Sequence, residues 1–238
     1  MIELLHQIEQ IDTQIFLFFN GFHNVYWDYF MMIFSDRFVW VPFYASFIFV
    51  LLKNFPVKVV MSTIVVITLI ILFSDQTASG ILKPLVARMR PSNPDNPISP
   101  MVHVVQGYRG GRYGFPSSHA ANAWSMAFFA QYLVRRSKLT IFLCLWALIT
   151  SYSRMYLGVH YFGDILIGTL IGFLYATLYY YIFQYFLRKH TERFKPNHDI
   201  RFASVPIITG LVSIWVIICT SGILSFYNIP VSYTHLRA

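Results

Sequence analysis

Long uncharged apolar runs alternate with short polar connections along this chain. Residues 59–82 carry one charge, Asp75; residues 162–187 carry one, Asp164; residues 202–227 carry none. Shorter uncharged runs cover residues 38–52, 120–134 and 139–153. Runs of about 18 or more apolar residues are membrane-span candidates, and in lipid each backbone amide must be bonded within its own segment. The pattern therefore predicts an all-α, polytopic membrane bundle of about six helices, the shorter runs being extended by flanking polar residues. Near the start, Leu4, Leu5, Ile8, Ile11 and Ile15 recur at helical spacing, with Glu3, Glu9 and Asp12 on other faces. This pattern suits an amphipathic helix at a membrane interface, or a packing helix of the soluble type. Tyr26, Trp27 and Trp40 are placed like interfacial aromatics.

The expected organisation has three parts. Residues 1–38 form an N-terminal amphipathic, interfacial segment, residues 39–227 a single six-helix membrane domain, and residues 228–238 a tail. Within the tail, residues 231–238 read as a translated adapter artefact and are assigned no function. The longest connection, residues 83–119, holds Pro91, Pro94, Pro97 and Pro100, then Gly107, Gly110, Gly111 and Gly114. Loops of that length are usually functional or disordered.

Composition agrees with the membrane reading. The 238 residues are 56% hydrophobic and 12% charged, against about 25% charged in soluble domains. The formal charge of +8 does not point to nucleic acid, because the basic residues sit in short connections and form no long stripe. Lys53 and Lys58, then Arg135, Arg136 and Lys138, then Arg188, Lys189, Arg193, Lys195 and Arg201 mark three cytoplasmic connections. Both termini and the segments 83–119 and 154–160 then fall on the outer side. Cys144 and Cys219 lie inside expected spans, as apolar thiols rather than a disulfide or metal ligands. No basic region precedes the first apolar run, so no cleavable signal peptide is expected.

Three short segments carry chemistry. Lys83 and Arg90 are separated by six residues, and Pro91 follows; Pro116, Ser117, Ser118 and His119 are contiguous; Ser153 and Arg154 precede His160, with Asp164 four residues later. A phosphate ester needs cations to bind its charge, a nucleophile, and a proton donor for the leaving oxygen. Lys83, Arg90 and Arg154 supply cations, and guanidinium matches phosphate oxygens in bidentate fashion. His119 and His160 supply the acid and the nucleophile. Asp164 shares a helical face with His160, and a carboxylate on one ring nitrogen leaves the other free to attack. Ser117 and Ser118 open an apolar run, where a helix N-terminus offers free amides to an anion.

These segments, Lys83-x6-Arg90-Pro91, Pro116-Ser117-Ser118-His119 and Ser153-Arg154-x5-His160-x3-Asp164, resemble the three signature motifs of the type 2 phosphatidic acid phosphatase (PAP2) superfamily, in the family's order. One position departs: Ser118 stands where the family usually has glycine, which would matter if that position needs positive φ. The resemblance implies a PAP2-like helical bundle in which His160 attacks phosphorus and becomes phosphorylated. Asp164 would orient it, and His119 would protonate the leaving oxygen and then activate water. Lys83, Arg90, Ser117, Ser118 and Arg154 would hold the phosphoryl oxygens. It implies no metal and no cofactor.

The implied function is a multi-pass phosphatase of the cytoplasmic membrane with an outward site. The candidate lipid phosphates are undecaprenyl diphosphate, phosphatidylglycerophosphate, phosphatidate and the phosphates of lipid A. An outward site favours the envelope lipids, undecaprenyl diphosphate or lipid A. Alternatives are a phosphoryl or head-group transferase of the same superfamily and a non-catalytic transporter or scaffold, which would leave the clustered histidines and cations unexplained. Other polar residues receive plainer readings. Arg88 is expected as an interfacial anchor, Asp75 and Gln76 as a helix-end cap or a partner for Lys83, and His103 as a loop residue. Arg109 and Arg112 are expected as solvated loop charges or contacts to a second phosphate or sugar, and Tyr179, Tyr180 and Tyr181 as packing.

Overall fold

The computed structural model describes residues 2–190 and 200–229. The basic residues Arg193 and Lys195 and the tail from residue 230 onward lie outside the described residues, as do the side chains of Arg188 and Lys189. The described chain is all-α: α1 (Ile2–Asn20), α2 (Val25–Phe34), α3 (Val41–Asn54), α4 (Val57–Asp75), α5 (Lys83–Val86), α6 (Ser118–Val134), α7 (Ser137–Tyr156), α8 (Phe162–His190) and α9 (Val205–Tyr227). A π-helical stretch, Gln76–Leu82, runs α4 into α5. Among the described residues there is no strand, only an isolated bridge between Met89 and Tyr113.

Four described segments are long and apolar enough to cross a membrane: Val57–Val86, Ser137–Tyr156, Phe162–Leu187 and Val205–Tyr227. Their outward faces expose leucines and aromatics, such as Leu170, Leu174, Trp215 and Phe226, as lipid-facing helices do. The expected count of about six is thus approximate. The third expected helix is α6, whose 17 residues fall just short of a full span. It packs against α4, α7 and α8 at the centre of the bundle. The first becomes a 3-10 turn, Arg37–Trp40, followed by the 14-residue α3. At 1.5 Å per residue α3 reaches about 21 Å, less than the ~30 Å hydrocarbon core. The break has a local cause: Asp36 Oδ1 accepts from Phe38 N at 2.8 Å, and Pro42 starts α3 afresh. Across it, α2 and the helix after it bend by 62°.

Hydrogen bonds distinguish the two ends of the bundle. At one, Asn54, the last residue of α3, bonds both the carbonyl and the amide of Arg201, in the α8–α9 connection. At the other, α1 and α2 lie across the helix ends. Asp12 of α1 reaches Gly163 N at 2.8 Å, and Asn20, at the far end of the same helix, reaches the carbonyls of Met155 and Tyr156. Tyr29 of α2 donates to the Ile229 carbonyl beyond α9, while Ser35 accepts from Arg154 near the end of α7. In α1 the polar residues Asp12 and Asn20 face inward, and Leu4, Leu5, Ile8 and Ile11 are exposed.

The α6–α8 seam sets the position of everything at that end. A Cβ on Gly168 would collide with the Ser117 carbonyl oxygen, and one on Gly172 would lie 2.5 Å from that of Ala121. The two backbones therefore approach without side chains between them, as small residues permit in membrane bundles. That approach lets Ser117 N donate to the Asp164 carbonyl at 2.9 Å, tying the second chemical segment to the third.

Candidate active site

His160 lies on the short turn between α7 and α8, which Gly158 makes with φ of +75° against the His103 carbonyl. His160 is 1% exposed and Asp164 is fully buried. Asp164 Oδ2 is 3.3 Å from His160 Nδ1 and accepts from Tyr161 N at 3.0 Å. With Nδ1 engaged by the carboxylate, the unshared ring nitrogen is Nε2. Burial, then the charges of Arg90, Arg154 and Lys83, hold the imidazole well below its usual 6.5, and His119 adds to the effect. All four residues therefore lie within electrostatic reach of His160. His119 is in the first turn of α6 and feels Arg154, Arg90 and Lys83 in turn.

The three cations converge on this ring pair. Lys83 Nζ donates to Ser79 Oγ at 3.0 Å and to Ser118 Oγ at 3.4 Å. Arg90 Nε donates to the Tyr113 carbonyl at 3.1 Å. Burial, then the neighbouring Arg154, push Arg90 down to about 10. Arg154, 1% exposed, gives Nη1 to Ser35 and Nη2 to the Tyr108 hydroxyl at 2.9 Å. Its Nε finds no acceptor among the described residues. None of the three cations makes an ion pair among the described residues, although two of them are buried. Buried charge without a partner is costly, so the arrangement is suited to an anion.

The second segment contributes a helix start. Ser117 caps α6, its Oγ accepting from Ala120 N at 3.4 Å. Ser118 is the first residue of α6 and has no positive φ, so the position tolerates a side chain there and uses its hydroxyl to meet Lys83. The structure thus gathers all eight sequence-predicted residues at one end of the bundle.

A scan against family models matches residues 60–188 to the PAP2 superfamily. The chain belongs to that superfamily. The chain is 45% identical over 221 residues, 90% of its own length and 95% of the other protein, to the lipid A 4'-phosphatase of Bacteroides thetaiotaomicron. It is 33% identical over 182 residues, 76% of each chain, to the lipid A 4'-phosphatase of Porphyromonas gingivalis. The crystal structure of Aquifex aeolicus LpxE shares the fold, with a TM-score of 0.54 and 22% identity over 71% of this chain and 94% of that one.

Several residues of this PAP2 chain take places that the motifs did not foretell. Arg88 is not an interfacial anchor: its Nη1 bridges Asp12 Oδ2 at 2.7 Å and Asp164 Oδ1 at 3.1 Å, and its guanidinium lies 3.8 Å over the Tyr161 ring. Burial lowers the pKa of Arg88, but Asp164 and Asp12 outweigh it and raise the group above its ordinary value. Arg109 is an exposed loop charge, and it also donates to the Ser92 carbonyl and to Ser99 Oγ, stapling its own loop. Arg112 lies over the Tyr113 ring. His103 pairs with Asp28 at 2.9 Å and stacks on His23 at 3.7 Å. Asp75 reaches Lys83 through Ser79, which donates to it at 3.4 Å. Tyr108 had no motif to mark it. Burial raises its hydroxyl pKa, but the charge and hydrogen bond of Arg154, with Arg90, outweigh this and leave it below 10.

Proposed function

We propose that this PAP2 member is a lipid A 4'-phosphatase of the cytoplasmic membrane, with its site on the outer side. The phosphatase reading rests on Lys83, Arg90 and Arg154, none with an ion-pair partner among the described residues, gathered around a His160–Asp164 pair. The substrate reading rests on the two lipid A 4'-phosphatase relatives. The outward site follows from the basic connections at the opposite end. Apolar spans let acyl chains stay in the bilayer while the phosphate enters the site.

In this mechanism the 4'-phosphate lies among Lys83, Arg90, Arg154 and the amides that open α6, which offset the charge spread over its oxygens in the transition state. His160 Nε2 attacks phosphorus. The bond from phosphorus to the sugar oxygen breaks, and that oxygen takes a proton from His119. Asp164 holds Nδ1 and stabilises the charge the ring acquires. Water then attacks the phosphohistidine, gives its proton to His119, and the P–N bond breaks to release inorganic phosphate.

The test is phosphate release by the purified chain in detergent, with lipid A, undecaprenyl diphosphate, phosphatidylglycerophosphate and phosphatidate assayed in parallel, with and without EDTA. The expected result is turnover of lipid A that survives the chelator and is absent from His160→Ala. Wild-type activity in His160→Ala would overturn the nucleophile assignment. Turnover of another lipid with lipid A inert would overturn the substrate. Loss of activity with EDTA would overturn the metal-free route.

A further inference from the structure

Asp164 is held from two sides. Its Oδ2 faces His160 Nδ1 and Tyr161 N, while its Oδ1 accepts from Arg88. Arg88 is in turn fixed by two further side chains, Asp12 and Tyr161. Asp12 of α1 takes the same Nη1 at 2.7 Å, and the guanidinium lies 3.8 Å over the Tyr161 ring. The Tyr161 hydroxyl accepts from Asn96 Nδ2 at 3.0 Å, and Asn96 also donates to the Arg90 carbonyl. Asp12 is seated independently of Arg88, since its Oδ1 accepts from Gly163 N at 2.8 Å. A Cβ at Gly163 would lie 2.8 Å from Asp12 Oδ2, so the helix start and the carboxylate are in close contact.

We infer that Arg88 and Asp12 are positioning residues for His160: Asp12 aims the guanidinium at Asp164 Oδ1, and that bond fixes the carboxylate plane that holds Nδ1. The inference rests on the reading of His160 as nucleophile. Without Arg88 the buried Oδ1 loses its donor, and the Tyr161 N bond to Oδ2 is left alone to set the carboxylate plane against the imidazole. Such a loss acts on the reacting geometry more than on substrate affinity, because Arg88 is paired with two carboxylates and has no free charge for phosphate. The arrangement also makes the docking of the N-terminal helix a condition for an aligned site.

The experiment is a double-mutant cycle on kcat and KM for phosphate release from lipid A. Arg88→Ala is expected to lower kcat roughly ten- to a hundredfold, by analogy with the loss when an outer partner of a metal-bound histidine is removed, with KM within about threefold. Asp12→Asn keeps an oxygen for Gly163 N and loses only the ion pair, so it should give a smaller loss of the same kind. In an Asp164→Asn background, Arg88→Ala should cost less than about threefold more, because the two act as one unit. Equal losses in both backgrounds, or a rise in KM with kcat unchanged, would overturn the inference. If Arg88→Ala does not yield a monodisperse protein, Arg88→Lys and Asp12→Asn carry the same cycle. An inactive His160→Ala beside unimpaired Arg88 variants sinks this inference alone. An active His160→Ala sinks the underlying mechanism.

Discussion

α8 and α9 are both long apolar helices, yet they meet their neighbours in opposite ways. Gly168 and Gly172 of α8 leave no room for a Cβ beside the carbonyl oxygens of Ser117 and Ala121, so backbone rests on backbone. Gly210 of α9 instead meets the rings of Phe142 and Phe43, and Gly222 faces open space. The α8 seam fixes the register between Ser117 and Asp164, whereas at Gly210 the contacts of α9 are aromatic side chains that can be displaced. Rings can turn by a rotamer step or a small shift; a carbonyl in a helix cannot move without its helix. The molecule uses rigid contact where residues from different motifs must meet, and deformable contact where a helix only completes the bundle.

The sharpest break is at the end of the α8 seam itself. His160→Ala should reduce phosphate release at least about a thousandfold, since His160 is the proposed nucleophile, while its elution in detergent matches wild type. Asp164→Asn should fall less far, because an amide oxygen can still accept from Nδ1. Next comes the seam: Gly168→Ala should destabilise the fold by about 1–3 kcal/mol, the range for overpacking, and lower kcat with it. Gly222→Ala should leave both the melting temperature and kcat near wild type. A Gly168→Ala protein indistinguishable from Gly222→Ala would erase the contrast between the two helices.

Smaller effects refine the same picture. His160 is held below its ordinary range by burial and by Arg90, Arg154 and Lys83, so its neutral, nucleophilic form persists as pH falls through 6.5. kcat/KM at pH 6 should therefore not fall below about half its value at pH 7.5, a range in which an unperturbed imidazole with a pKa near 6.5 would lose most of its neutral form. The same shift has a stability consequence. The unfolded chain binds a proton at this position below about 6.5 and the folded chain does not, so this contribution to stability declines as pH drops through that value. Smallest of all, Tyr108→Phe removes the hydroxyl that occupies Arg154 Nη2. It should lower KM for lipid A by about two- to threefold, the worth of one modest hydrogen bond, with kcat unchanged.

Much of this was legible in the residues alone. The apolar runs foretold an all-α membrane bundle because lipid leaves the backbone no other economical form. The three segments around Lys83, His119 and His160 could be picked out as candidates because each motif is local. Asp164 could be placed against His160 from a spacing of four. What the chain could not announce was Arg88 between Asp12 and Asp164, since those partners are 76 residues away in each direction. Nor could it announce that α1 turns its acid inward and its leucines outward, that α6 is central though short, or that residues 38–52 break into a turn and a 14-residue helix. Sequence periodicity sets which residues share a face, and hydropathy sets which segments leave water. Which face meets which neighbour is decided only when the helices pack, because charge pairing depends on a register that close backbone contact fixes and linear spacing does not encode.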